Sequence, residues 1–123
     1  MARIRIGLLV LAAACAVGAF AAMAGAGNTA RRATTVTVTA GKPSEFRFTL
    51  SKKSAVHGAV TFKVTNKGAL PHDFKIAGKK TKLLSPGQSQ SLKITFKKAG
   101  KYPYLCTVTG HAAAGMKGTF KVT

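Results

Sequence analysis

The chain has 123 residues, enough for one domain, and carries 20 Lys and Arg against 2 Asp and Glu, a formal net charge of +18. Only Glu45 and Asp73 are acidic, so catalysis by paired carboxylates would need these two, and a carboxylate-rich Ca²⁺ or Mg²⁺ cage is excluded. A hydrophobic content of 46% is too high for a disordered chain.

The N-terminus comes first. Arg3 and Arg5 precede Gly7 to Ala26, a run without charge whose most apolar part is Leu8 to Leu11. Ala22-Met23-Ala24 and Ala24-Gly25-Ala26 both fit an A-x-A cleavage site. A charged start, an apolar middle and a small-residue end read as a secretory signal peptide over residues 1–26. The alternative is an uncleaved anchor, because the run is long enough to span a bilayer. Lipidation at Cys15 fits poorly, with Ala12 three residues before it, and no adjacent arginine pair marks a twin-arginine signal. Removing residues 1–26 from the 123 leaves 97, with the charge lowered from +18 to +16 by loss of Arg3 and Arg5. Cys106 is then a lone thiol in an oxidising compartment, a liability unless it has a use.

Residues 27–33 read as a short polar, basic spacer, and residues 34–123 as the domain. The period in the domain is two. Val36 and Val38 alternate with threonines, and Phe46, Phe48 and Leu50 with Arg47 and Thr49. Val60, Phe62 and Val64 repeat the pattern, as do Phe74 and Ile76, then Leu92, Ile94 and Phe96. Tyr102 and Tyr104 flank Pro103, and Phe120 and Val122 flank Lys121. Turn residues separate the runs, among them Gly41-Lys42-Pro43, Asn66-Lys67-Gly68 and Ser85-Pro86-Gly87. Seven short alternating strands predict an all-β, antiparallel Greek-key β-sandwich. Pro103 inside a run marks an edge or a bulge.

Strand parity places the side chains that carry chemistry. Cys106 shares parity with Tyr102 and Tyr104, His72 with Phe74 and Ile76, and Met116 with Phe120 and Val122. All three therefore start on the core side, each at the end of a run, where one pole of a sandwich brings them together. Cys106-Thr-Val-Thr-Gly-His111-Ala-Ala-Ala-Gly-Met116 adds an imidazole. Gly110 and Gly115 precede His111 and Met116 and allow sharp turns. Two His, one Cys and one Met make the ligand set of a blue-copper site. Thiolate and thioether suit Cu(I), imidazole suits both oxidation states, and little has to move when an electron arrives. Zinc is the rival metal, with water in the fourth place, and Met116 at its spacing argues against it. Singly, His72 reads as a turn histidine, and Cys106 and Met116 as core filling. His57, in the loop Ser54 to Gly58, reads as an ordinary exposed histidine.

These residues match a known pattern. Asn66-Lys-Gly-Ala-Leu-Pro-His72-Asp-Phe, Gly100-Lys-Tyr-Pro-Tyr-Leu-Cys106 and Gly110-His111 with Gly115-Met116-Lys-Gly118 make the chain resemble the cupredoxins, the small blue-copper proteins that include plastocyanin and azurin. The resemblance covers roughly residues 34–123 and is specific at the four ligand positions. It implies His72, Cys106 and His111 as equatorial ligands, Met116 as the axial one, and outer-sphere electron transfer through the edge of His111. The four residues between Cys106 and His111 exceed plastocyanin's two and lie nearer azurin's spacing. In the family, the residues matching Asp73 and Thr107 can hydrogen-bond and lock the ligand loops together; otherwise Asp73 is a turn residue.

The basic surface would suit nucleic acid, but its positions do not. Arg47, Lys63, Lys75, Lys93 and Lys121 alternate with core residues on several strands, a solvated exterior rather than one groove with stacking aromatics. No nucleic acid partner is expected; an acidic redox protein or an anionic envelope surface is, with Ala112 to Ala114 as a small uncharged patch beside His111. The expectation is a monomer that is not an enzyme. It is an exported, periplasmic or extracellular one-electron carrier with one copper ion, touching a membrane only if its N-terminal segment stays uncleaved. The alternatives are a copper carrier or buffer without a redox role, and a metal-free interaction module.

Overall fold

A computed structural model describes residues 33–123; the signal-or-anchor reading of residues 1–26 and most of the spacer lie outside them. Among the described residues nine strands follow one another: β1 (Thr34–Ala40), β2 (Phe48–Leu50), β3 (Ser54–Ala55), β4 (Gly58–Asn66), β5 (Lys75–Ile76), β6 (Lys79–Lys80), β7 (Ser89–Phe96), β8 (Gly100–Leu105) and β9 (Lys117–Val122). Among the described residues no helix is long and apolar enough to cross a membrane.

The strands form two sheets, ordered β2-β1-β4-β7 and β3-β9-β8-β5-β6. The sandwich is the expected one, and most pairings are antiparallel. Two are parallel, β1 on β4 and β3 on β9. The alternation of side chains is the same in either direction, so the period of two could not distinguish them. β1 pairs with β4 along its whole length, from Thr34↔Val60 to Ala40↔Asn66.

One strand limit differs from the sequence reading, and the Pro103 expectation holds. The run expected from Phe46 becomes a strand only at Phe48, because the Gly41 N–H donates to the Arg47 carbonyl at 2.9 Å and closes residues 42–46 into a loop. Pro103 lies in β8, between β9 and β5, yet β5 covers only Tyr104 and Leu105, so Pro103 has an open edge on that side.

The inward parities build the core. Val36, Val38, Val60, Phe62 and Val64 from the first sheet meet Ile76, Tyr104, Phe120 and Val122 from the second, and Phe74 just before β5. Phe62 is its centre, with ring centroids 5.2 Å from Phe120, 5.4 Å from Phe74 and 6.3 Å from Phe96. The outward parities hold the charge: Arg47, Lys63, Lys75, Lys93 and Lys121 are all exposed. A second, smaller apolar cluster of Ala40, Cys106 and Met116, packed by Phe46, Phe48 and Val108, lies at the pole where β1 and β4 end.

Candidate metal centre

At that pole, Asn66 closes β4 and anchors the loop that carries His72. Its side-chain amide donates to the carbonyls of Leu70 and Leu84, both at 2.8 Å, and its Oδ1 accepts the Gly68 N–H at 2.8 Å. His72 then pairs with Leu84 through two backbone hydrogen bonds of 3.0 and 2.8 Å. A buried amide with its hydrogen bonds met fixes a loop far more firmly than propensity does.

Cys106 follows the end of β8, and its N–H donates to the Met116 carbonyl at 3.1 Å. Between them the chain folds as successive tight turns: His111 N–H to Val108, Ala114 N–H to Gly110, and Met116 N–H to His111, all at 3.0 Å. Gly110 and Gly115 have φ of 83° and 117°, a region side chains rarely occupy, which is the role the sequence assigns them.

The side chains converge. Nδ1 of His111 lies 3.6 Å from Sγ of Cys106 and 3.0 Å from Nδ1 of His72, and Sγ is 4.0 Å from Nδ1 of His72. Among the described residues this trio is the group of His, Cys and acidic side chains placed to hold a metal ion, and all three are buried. Met116 is fully buried in the cluster that contains Cys106. His72 and Cys106 are 0% and 1% exposed, whereas His111 reaches 9%. His57 stands at the opposite pole, in the loop between β3 and β4, half-buried rather than exposed, with Nδ1 3.1 Å from the Thr123 carbonyl.

The surroundings set protonation. Burial pushes the Cys106 thiol up from its ordinary value. Burial, and then His72, pushes His111 down, towards neutral imidazole. Metal binding therefore has to displace the Cys106 proton while His111 is already prepared as a donor. Asp73 accepts hydrogen bonds from the Thr107 N–H at 2.6 Å and from the Thr107 hydroxyl, so the residue after His72 is tied to the residue after Cys106, as in the family resemblance.

The sequence reading passed over Glu45. Its Oε1 lies 2.7 Å from Nε2 of His72, the ring nitrogen turned away from the trio. The carboxylate also accepts the N–H groups of Ala69 and Leu70, both at 2.9 Å. Those two N–H groups, with His72, hold its pKa down to about 2. When His72 is neutral and its Nε2–H is given to Glu45, Nδ1 is bare, which is the tautomer a metal needs. Phe46 was also missed as a site residue; its ring meets that of His111 edge-on, centroids 5.0 Å apart. The signal available for Glu45 was its rarity, as one of two acidic residues in a chain of charge +18.

Two imidazoles and a thiolate, all buried and already gathered, with a thioether in the same cluster, suit one copper ion: the soft sulfur donors favour Cu(I), and imidazole accepts both states. The fold and the donors thus define a small mononuclear copper protein built on a β-sandwich. The chain belongs to the plastocyanin/azurin family of copper-binding proteins, whose sequence pattern matches residues 21–123. A 43-residue stretch is 46% identical to auracyanin-B of Chloroflexus aurantiacus, covering 35% of this chain and 18% of that protein, so the match spans less than a fifth of the relative's length. Dithionite-reduced auracyanin of Roseiflexus castenholzii superposes with a TM-score of 0.58 at 25% identity, over 74% of this chain and 98% of its own. Auracyanin B gives a TM-score of 0.63 at 24% identity over 74% and 89%, and reduced rusticyanin 0.59 at 24% over 72% and 78%, which are likenesses of fold.

Proposed function

We propose that the protein carries single electrons through one copper ion, with His72, Cys106 and His111 as equatorial donors and Met116 as the axial one. Copper bound there supplies a Cu(I)/Cu(II) couple. The observation that carries the reading is the gathered donor set, with Nδ1 and Sγ atoms 3.0–4.0 Å apart and buried together. A site held by Asn66, by the Asp73–Thr107 link and by the turns of residues 107–116 changes little between oxidation states, which favours rapid transfer.

His111 is the donor that reaches the surface, and Ala112 to Ala114 beside it are uncharged, so a partner can approach its edge without desolvating charge. The exposed lysines on the strands favour an acidic redox protein, or an anionic envelope surface, as the partner. Export to the periplasm or beyond is supported by the charged, apolar and small-residue pattern of residues 1–26.

The test is the spectrum of the Cu(II)-bound protein. A thiolate on Cu(II) gives intense visible charge-transfer absorption, and Cys106→Ser abolishes it while the sandwich still folds. Weak ligand-field bands alone from the unaltered protein would refute the reading. A reversible one-electron couple with fast self-exchange separates a carrier from a copper buffer.

A further inference from the structure

We propose that Glu45 is a positioning residue of the copper centre: its carboxylate holds the Nε2–H of His72, keeps Nδ1 turned to the metal position, and places a fixed negative charge that favours the oxidised ion. The inference rests on copper at the His72–Cys106–His111 position and not on the electron-carrier reading.

Three observations carry it. The first is the contact: Oε1 lies 2.7 Å from Nε2 of His72, and the carboxylate is itself held by the N–H groups of Ala69 and Leu70 at 2.9 Å. All of its main partners lie within the loop that carries His72, so the contact orients ring and loop together. The second is the space made for it. A Cβ on Gly68 would stand 2.5 Å from Oε1 of Glu45 and 3.0 Å from Nε2 of His72, so glycine is what admits the carboxylate. The third is the neighbours of Glu45. Phe46 packs edge-on against His111, and the Arg47 guanidinium lies 3.5 Å from where a Cβ on Gly115 would be. One short segment thus lies against His72 and His111 and beside the turn before Met116.

The electrical consequence has a definite sign. An anion behind an imidazole ligand raises its basicity and is attracted more strongly to Cu(II) than to Cu(I). Glu45 therefore lowers the reduction potential.

Three variants, Glu45→Gln, Glu45→Ala and Gly68→Ala, are measured by protein-film voltammetry, by visible spectrum, by Cu(II) affinity in competition with a chelator, and by ¹⁵N NMR of the His72 ring in the metal-free protein. Glu45→Gln keeps one acceptor for the His72 Nε2–H, gives up the oxygen that accepts from Ala69, and loses the charge. It retains the blue band and the Nε2–H tautomer, and its potential rises by about 59 mV, a tenfold change in relative Cu(II)/Cu(I) affinity. Glu45→Ala loses both, so the potential rises, His72 populates both tautomers and Cu(II) affinity falls about tenfold or more. Gly68→Ala, with Glu45 intact, moves in the direction of Glu45→Ala. A Glu45→Gln potential that is unchanged or lower in a protein that is still blue overturns the charge role. A His72 tautomer unchanged in Glu45→Ala overturns the positioning role. If the unaltered protein takes up no blue copper, the copper reading itself fails, and the metal-free NMR measurement still decides whether Glu45 sets the His72 ring.

Discussion

Replacing Asp73 with alanine removes both acceptors that tie the residue after His72 to the residue after Cys106. Asp73 is 5% exposed, and it accepts one hydrogen bond from the Thr107 N–H and one from the Thr107 hydroxyl. Hydrogen bonds to a charged group are each worth about 1.5–3 kcal/mol. Thr107 is exposed, so water satisfies its donors in the variant, and loss of the buried carboxylate recovers its desolvation cost. The net loss for Asp73→Ala is therefore about 2–3 kcal/mol, near one charged hydrogen bond rather than two. Asp73→Asn keeps an acceptor for the Thr107 N–H, and its amide can donate to the hydroxyl, so it costs about 1 kcal/mol. Urea unfolding of the metal-free protein measures both. With a slope of about 1–2 kcal/mol per molar, alanine lowers the midpoint by about 1–3 M, and asparagine by about half as much or less. The copper-loaded alanine variant also has a perturbed blue band, because His72 and Cys106 lose their link. An alanine midpoint within about 0.3 M of the unaltered protein, or an asparagine variant as unstable as alanine, would refute the reasoning.

The axial ligand gives a second prediction: an amide oxygen favours Cu(I) less than a thioether does, so Met116→Gln lowers the reduction potential with copper retained, and an unchanged potential would mean Met116 is not axial. Ala113→Glu places a charge in the uncharged patch beside His111; stopped-flow oxidation by an acidic redox protein slows while the copper spectrum stays in place, and in the unaltered protein the association rate falls as salt rises. In β9, a Cβ on Gly118 would run into the buried Tyr104 ring, 2.9 Å from Cε2 and nearer still to its oxygen. Gly118→Ala therefore costs about 1–3 kcal/mol, read as a fall of at least about 4 °C in the melting temperature.

Local pattern is what a sequence displays, and the strands and donors were local. Val36 to Val38, Val60 to Val64 and Leu92 to Phe96 carry the period of two over enough residues to be read directly. The four donors showed through parity at strand ends and through Gly110 and Gly115. What stayed hidden depends on distant pairing. β3 and β6 have two residues each, too few to show a period. The parallel register of β1 on β4 involves residues 26 apart, as Thr34↔Val60, with nothing in either strand to mark direction. Glu45 sits in a stretch whose Phe46, Phe48 and Leu50 imitate a strand, and its partner His72 lies 27 residues further along. Chain-wide scarcity of acid was its one mark.

The parallel alignment of β1 with β4 also determines where a leash would attach. β1 starts at Thr34, opposite Val60, and runs its 7 residues towards the pole that holds His72. At about 3.3 Å per residue, the start of β1 stands about 20 Å from the copper pole. Anything joined ahead of residue 33 leaves from the far end. A lipid-embedded segment or a fused partner there would be attached at the end opposite the copper pole. The edge of His111 would then face away from that attachment, towards whatever lies beyond it.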